Sequence, residues 1–158
     1  MGVSITILVG TMTGTAEMVA QEVEQALENA GHQAIIEMMD NLDSSIFQRG
    51  GVFLICTSTY GQGDVPDNAQ KLFASLETDA PNLSSVTYGV IALGDRTYKE
   101  TYCDGGKRFD ALLSKLGARR AGDILLHDAS SGTLPEEVAA EWVVPWVEQH
   151  LQTSSELA

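Results

Sequence analysis

Residues 51–57 read Gly-Val-Phe-Leu-Ile-Cys-Thr, a run that is apolar on both faces of an extended chain. A strand with one face in water alternates apolar with polar residues; a strand covered on both faces need not. The run therefore predicts a central strand of a parallel sheet with helices above and below it. Toward the N-terminus, Val3–Val9 is a second short β-branched strand. Between the two lies a helix from Glu17 to Ala30, with Met18, Val19, Val23, Ala26, Leu27 and Ala30 at helical spacing and Gly31 as its stop. A strand over Ala34–Met38 follows, and residues 39–50 give no clear element. Toward the C-terminus, Asp64-Val-Pro-Asp67 opens a helix, with Asp64 as cap, Pro66 in the first turn and Asp67 at the positive dipole end. Val86–Leu93 is a fourth strand, and Lys107–Leu116 a helix ending at Gly117. Arg119–His127 holds a fifth strand. Thr133-Leu-Pro-Glu136 reads as a capping box for a last helix to about Leu151, which Pro145 should kink or shorten. The alternation predicts an α/β chain with a parallel sheet and helices on both faces.

The 158 residues suit one domain, taken as residues 1–152 with a frayed tail at 153–158. Apolar residues make up 44%, enough for a full core. Lys and Arg number 9 against 22 Asp and Glu, a net charge of −13, which opposes binding to nucleic acid or an anionic membrane and favours a soluble monomer with basic protein partners. Residues 1–70 hold nine carboxylates and one basic side chain, Arg49. Cys56 and Cys103 stand apart, and no Cys/His spacing fits a disulfide framework, a zinc site or an iron–sulfur centre. No basic flank and long apolar stretch marks a secretory signal, and the longest apolar run is too short to span a bilayer, so a cytoplasmic location is expected.

In sheets of this class ligands bind beyond the carboxyl ends of the strands, where strand order reverses. The segments after Val9, Thr57 and Leu93 carry the most unusual sequence: Gly10-Thr-Met-Thr-Gly-Thr15, Ser58-Thr-Tyr-Gly-Gln-Gly-Asp64, and Gly94-Asp-Arg-Thr-Tyr98 running on to Tyr102-Cys103. The first is a strand-to-helix turn with two glycines, three threonines and no charge. A helix N-terminus holds an anion on its free N–H groups, and Thr11, Thr13 and Thr15 add hydroxyls. Neither the Lys of a nucleotide-triphosphate loop nor a GxGxxG is present, so a single phosphate monoester fits better. The same residues also suit a plain tight turn with Thr caps. Three of the four tyrosines, Tyr60, Tyr98 and Tyr102, fall in the other two loops, where each could stack on a planar ring for roughly 0.5–1.5 kcal/mol beyond burial. Gly61, Gly63 and Gly94 let backbone approach a flat ligand. Together the loops point to a phosphorylated aromatic cofactor.

These segments resemble the flavodoxin family over nearly the whole chain. Thr11-Met-Thr-Gly-Thr-Ala16 is similar to its flavin-phosphate signature, with Ala16 where many members have Thr. Thr59-Tyr-Gly-Gln-Gly-Asp64, with Asp67-Asn68 after it, resembles the flavodoxin-like domains of diflavin reductases such as sulfite reductase; Ala92-Leu-Gly-Asp95, Tyr98 and Tyr102-Cys103 are similar to the third flavin loop. Among small members the resemblance is to the short-chain, MioC type. It implies a flavodoxin-like three-layer sandwich with a five-stranded parallel sheet of order 2-1-3-4-5, and FMN as cofactor. Thr11, Met12, Thr13, Gly14, Thr15 and Ala16 would bind the phosphate. Tyr98 would stack on the ring and Tyr60 shield its other face or edge. Ser58, Thr59, Gly61, Gln62, Gly63, Leu93, Gly94, Asp95, Tyr102 and Cys103 would line it. The protein would be an electron carrier rather than an enzyme, passing single electrons from an NADPH-dependent reductase with a basic face to an acceptor redox enzyme. An acidic rim of Asp64, Asp67, Asp95 and Glu100 would steer both encounters. The negative field, with no cation in the phosphate turn, would lower the potential of the fully reduced couple. A quinone reductase on the same fold is the rival, although no basic residue is placed for NADPH phosphate. A receiver-type regulatory module would need acidic residues where Gly10-Thr11 and Ser58-Thr59 stand.

Trp142 and Trp146, four residues apart on the last helix, read as core packing, as does Cys56 within its strand. Cys103 is expected beside the ring as a contact and not a redox thiol. His127 and Asp128 read as ordinary loop residues near the rim.

Overall fold

The computed structural model describes residues 3–11, 14–49, 51–59, 65–94 and 103–152. The elements run β1 (Ser4–Gly10), α1 (Thr15–Asn29), β2 (Gln33–Met38), β3 (Gly51–Thr57), α2 (Asp67–Asp79), β4 (Val86–Gly94), α3 (Asp104–Lys115), β5 (Arg119–Arg120), β6 (Leu125–Asp128) and α4 (Pro135–Val147). The strands pair in the order β2-β1-β3-β4-β5, every pair parallel, with β6 also against β4.

The strand side chains alternate between two cores, as the pleat requires. Ile5, Ile7 and Val9 of β1, Leu54 and Cys56 of β3, and Ile91 and Leu93 of β4 pack with Val19, Val23 and Leu27 of α1 and Ala139, Val143 and Trp146 of α4. Leu8, Phe53, Ile55, Tyr88, Val90 and Ala92 face the other way, onto Leu72 and Leu76 of α2 and Phe109 and Leu113 of α3. The three-layer sandwich is therefore built from the two-sided strands first read in residues 51–57. Trp142 and Trp146 stack at 5.3 Å between ring centroids, and Trp146 is buried in the first core, as their spacing implied. Among the described residues no helix is long and apolar enough to cross a membrane, and no His/Cys/Asp/Glu group is placed to hold a metal.

The structure corrects four local expectations. The fifth strand is two short ones. Ala121 N–H still donates to the Tyr88 carbonyl at 2.8 Å, but the Ala121 carbonyl accepts the Trp146 indole N–H at 2.6 Å, and Gly122 turns away at φ 70°. The chain rejoins β4 at Leu125, opposite Ile91. Residues 39–50 contain two short 3₁₀ turns, Met39–Asn41 and Ser44–Arg49, that bury Ile46 and Phe47; the Phe47 ring sits 4.8 Å from Phe53. Pro66 is the N-cap of α2 and not in its first turn, while Asp67 does occupy the dipole end; Asp64 lies outside the described residues. The capping box before α4 does not form. Leu134 is the N-cap without a side-chain bond, Pro135 opens the helix, and the Thr133 hydroxyl is instead 3.0 Å from His127 Nε2 and 2.7 Å from Ser131 Oγ. Past Pro145, α4 gives way to a π-helical turn over Glu148–Gln152.

One close packing is directly testable. A Cβ on Gly89 would sit 2.3 Å from the Trp146 ring, so strand β4 must be bare there for the indole to lie flat. Gly89→Ala is expected to destabilise the protein by about 1–3 kcal/mol, the usual cost of an overpacked core. Urea unfolding with Trp146 fluorescence as the probe would measure it; unchanged stability would mean that the indole is free to shift.

Candidate functional site

Four strands end together. Gly10 of β1 pairs with Thr57 of β3, Thr57 with Ala92 of β4, and Gly94 with Asp128 of β6. The chain leaves β1 toward β2 on one side and returns to β3 on the other, so the switch point lies between β1 and β3, where the first two unusual segments emerge. Gly10 is needed at this convergence, because a Cβ would meet Thr57 Oγ1 at 2.8 Å and Ala69 Cβ at 3.1 Å.

The first segment turns directly into α1. Gly14 is the N-cap at φ 93°, a conformation glycine adopts without strain, and it brings no capping side chain of its own. The first turn of α1 thus begins at the strand ends, which places the positive end of its dipole there. The Thr11 hydroxyl accepts the Gly14 N–H at 2.9 Å, which leaves its own proton to be donated and polarises that donor. The Thr11 N–H is not offered to a ligand; it donates to Asn68 Oδ1 at 2.7 Å. Thr11, Gly14 and Thr15 are partly exposed, whereas Ala16 is fully buried in the core, with its carbonyl accepting Cys56 Sγ at 3.4 Å. Burial pushes the Cys56 thiol up to about 12.

The second segment is tied to its neighbours at its root. Ser58 N–H donates to the Gly10 carbonyl at 3.0 Å. The Thr59 hydroxyl donates to the Leu93 carbonyl at 3.0 Å and accepts the Gly105 N–H at 3.0 Å. One hydroxyl thus joins the exits of β3 and β4 to the start of α3. Ser58, Thr59 and Gly94 stay partly exposed, and Leu93 is almost wholly buried. Cys103, expected beside a ring, is fully buried, and its thiol donates to the Ala92 carbonyl at 3.2 Å. It is the N-cap of α3, at φ 58°. His127 is buried opposite Leu93 at the end of β6 and bonded to Thr133. The expected site residues Met12, Thr13, Tyr60, Gly61, Gln62, Gly63, Asp95, Tyr98 and Tyr102 lie outside the described residues, as does Glu100 of the acidic rim.

Three residues that matter here had no assigned role from sequence. Asn68 clasps the phosphate-type turn, Asp40 accepts from Asn68 Nδ2 at 3.3 Å, and Gly105 lets α3 abut Ser58. Asn68 stood in the quoted Asp67-Asn68 pair; nothing local marked the other two. A groove of about 250 Å³ between α2 and α3, lined by Val65, Gln70, Phe73, Ala74, Glu77 and Arg108, contains none of the expected site residues.

The described residues fit a phosphorylated planar cofactor: a helix N-terminus and a polarised hydroxyl for the phosphate, and a braced, glycine-bordered crevice beside them. They offer no side-chain cation to that phosphate at the turn itself.

A sequence model of the family described as Flavodoxin matches residues 7–142. The chain is 42% identical over 142 residues to "Flavodoxin YqcA" of Escherichia coli, covering 90% of this chain and 95% of that one. It is 34% identical over 146 residues to "Protein MioC" of Escherichia coli, with the same two coverages. Among solved structures, a cysteine-to-alanine mutant of flavodoxin from Pseudomonas aeruginosa superposes with a TM-score of 0.80 at 33% identity, covering 92% of this chain and 97% of that one.

Proposed function

The chain belongs to the flavodoxin family, whose members bind FMN and transfer electrons, and from that premise we propose that it shuttles single electrons between an NADPH-dependent flavoprotein reductase with a basic face and an acceptor redox enzyme. The observation that carries the reading is the glycine-started N-terminus of α1 at the β1/β3 switch point, bordered by backbone that is braced on three sides. FMN, when bound, supplies the redox chemistry by accepting and releasing electrons one at a time. The chain's own residues hold and insulate it. Thr11 and the first turn of α1 grip the phosphate with dipoles and hydroxyls. Ser58, Thr59 and Gly94 border the ring, and Tyr60 and Tyr98 are proposed to cover its faces. Leu93 and Cys103 support that border from below. With a net charge of −13, the protein resists further negative charge at the site and attracts a basic partner.

The test is the visible spectrum of the purified protein with and without added FMN. Flavin absorption with quenched fluorescence is expected, and riboflavin, which lacks the phosphate, should bind more weakly. A colourless protein that takes up no FMN would overturn the reading, and equal affinity for riboflavin would overturn the phosphate assignment. Partner docking has its own signature. Electron transfer from a flavodoxin reductase should slow as ionic strength rises and screens the attraction; a rate indifferent to salt would remove electrostatic steering.

A further inference from the structure

We infer that Asn68 is a positioning residue for the phosphate turn, acting as a substitute for the next residue of β2. The inference rests on the phosphate reading above and adds a residue to it.

In a parallel sheet, backbone groups of successive residues point alternately to the two neighbouring strands. The Gly10 carbonyl is taken on the β3 side, by Ser58 N–H. The Val9 carbonyl and the Thr11 N–H therefore face the β2 side. There the backbone ladder has run out. Val9 is paired with Met38, the last residue of β2, and the chain then turns into the 3₁₀ segment Met39–Asn41. The Asn68 side chain, from the first turn of α2, fills the vacated position. Its Oδ1 accepts Thr11 N–H at 2.7 Å and its Nδ2 donates to the Val9 carbonyl at 3.2 Å. One donor and one acceptor on a single amide reproduce what a strand residue would have offered. The second Nδ2 proton reaches Asp40 Oδ2 at 3.3 Å, which fixes the amide from the far side. The two backbone partners also settle which end of the amide is oxygen.

The consequence is for Thr11. Its backbone is clamped by Asn68 while its hydroxyl receives Gly14 N–H, so the end of β1 and the start of α1 are tied together before any anion arrives. Preorganised dipoles bind charge better than ones that must first be aligned. Few side chains can replace this one. Leucine has the size without the polar ends. Aspartate keeps the acceptor, but it turns a carboxylate toward both the Val9 carbonyl and Asp40.

The experiment compares FMN with riboflavin in fluorescence-quenching titrations of the full chain and of Asn68→Leu, with circular dichroism of the apo forms. If the role is to shape the phosphate turn, the affinity ratio of FMN to riboflavin should fall about tenfold in the variant while riboflavin binding stays within about twofold. A parallel loss for both ligands, or an unchanged ratio, would overturn the inference and leave the phosphate reading standing. A wild-type ratio near one would overturn the phosphate reading itself. Should Asn68→Leu fail to fold, Asn68→Asp gives the same readout. Its ratio should fall, and adding Asp40→Asn should recover part of it by removing the carboxylate that opposes the new charge; no recovery would count against the clasp.

Discussion

Replacing Gly105 by alanine is expected to cost the protein its FMN affinity while leaving the sandwich folded. An alanine Cβ at this position would lie 2.3 Å from the Ser58 carbonyl oxygen and 3.2 Å from both the Ser58 carbonyl carbon and Thr59 Cα. All three are backbone atoms, so no rotamer change relieves the clash. Retreat of the helix has its own cost, because it would open a gap where Gly106 packs on β4, its Cβ position 2.4 Å from the Ala92 side chain. What can move is the root of the second loop. Moving it breaks the Gly105 N–H to Thr59 bond and the Thr59 to Leu93 bond, and it strains Ser58 N–H on Gly10. Overpacking at about 1–3 kcal/mol, with two hydrogen bonds at about 1 kcal/mol each, gives a total of roughly 3–5 kcal/mol. Spent on the crevice, that is a loss of at least about 100-fold in affinity. Gly14→Ala is the contrast: it has φ 93° but nothing within 4 Å of a Cβ, so only backbone strain of about 1–2 kcal/mol is at stake. Titration with FMN, checked by far-ultraviolet circular dichroism, separates the two. A Gly105→Ala protein that binds FMN like the parent would show that the bracing of loop, strand and helix does not shape the site.

Gly105 also shows where a reading of the sequence succeeds and where it stops. The two-sided strand at residues 51–57 and the helical spacing over Met18–Leu27 are local patterns, and burial follows from them without knowledge of partners; sheet order and layers came out as expected. Gly105-Gly106 looks like loop, so the third helix was expected only from Lys107; it starts at Asp104 because those glycines are places of contact and not of freedom. The fifth strand looks continuous because no local signal reveals that Trp146, 25 residues further on, takes the Ala121 carbonyl. Thr133 and Glu136 have the spacing of a capping box, but a buried histidine from β6 claims the hydroxyl first. In the site, the motif pointed to the segment between β1 and α1 through Thr11 and Gly14, yet Asn68 is 57 residues from Thr11 and joins it only through the fold. Signals that act through the local backbone were legible. Those that depend on which distant side chain reaches a free N–H or C=O were not.

Alkaline solution should unfold this protein early, and Cys56 should be a main cause. The thiol is fully buried between β3 and α1, and burial raises its pKa from 9.0 to about 12. The sign follows from proton counts. Between pH 9 and 12 the unfolded chain has released the Cys56 proton and the folded chain still holds it. The unfolded state then binds fewer protons, and stability falls as pH rises. The stability conferred by the raised pKa is fully present below pH 9 and disappears by about pH 12, at close to 1.4 kcal/mol per unit, or about 4 kcal/mol in all. Tyr88 acts in the same direction above pH 10. Its pKa is raised by burial and then by the hydrogen bond to Asp110 at 2.6 Å, with Arg120 opposing. Urea unfolding from pH 8 to 11 on the parent and on Cys56→Ala isolates the thiol, because lysines and the other titrating groups cancel in the difference. The variant should start less stable at pH 8, from the cavity it leaves, and lose stability with pH more slowly, by about 1.4 kcal/mol per unit above pH 9. Parallel slopes would remove Cys56 as the cause. The same titration bears on the site, since Cys56 Sγ donates to the Ala16 carbonyl in the first turn of α1. The folded chain keeps this bond until the thiol ionises near pH 12, so FMN should leave the parent only as the protein unfolds and not before.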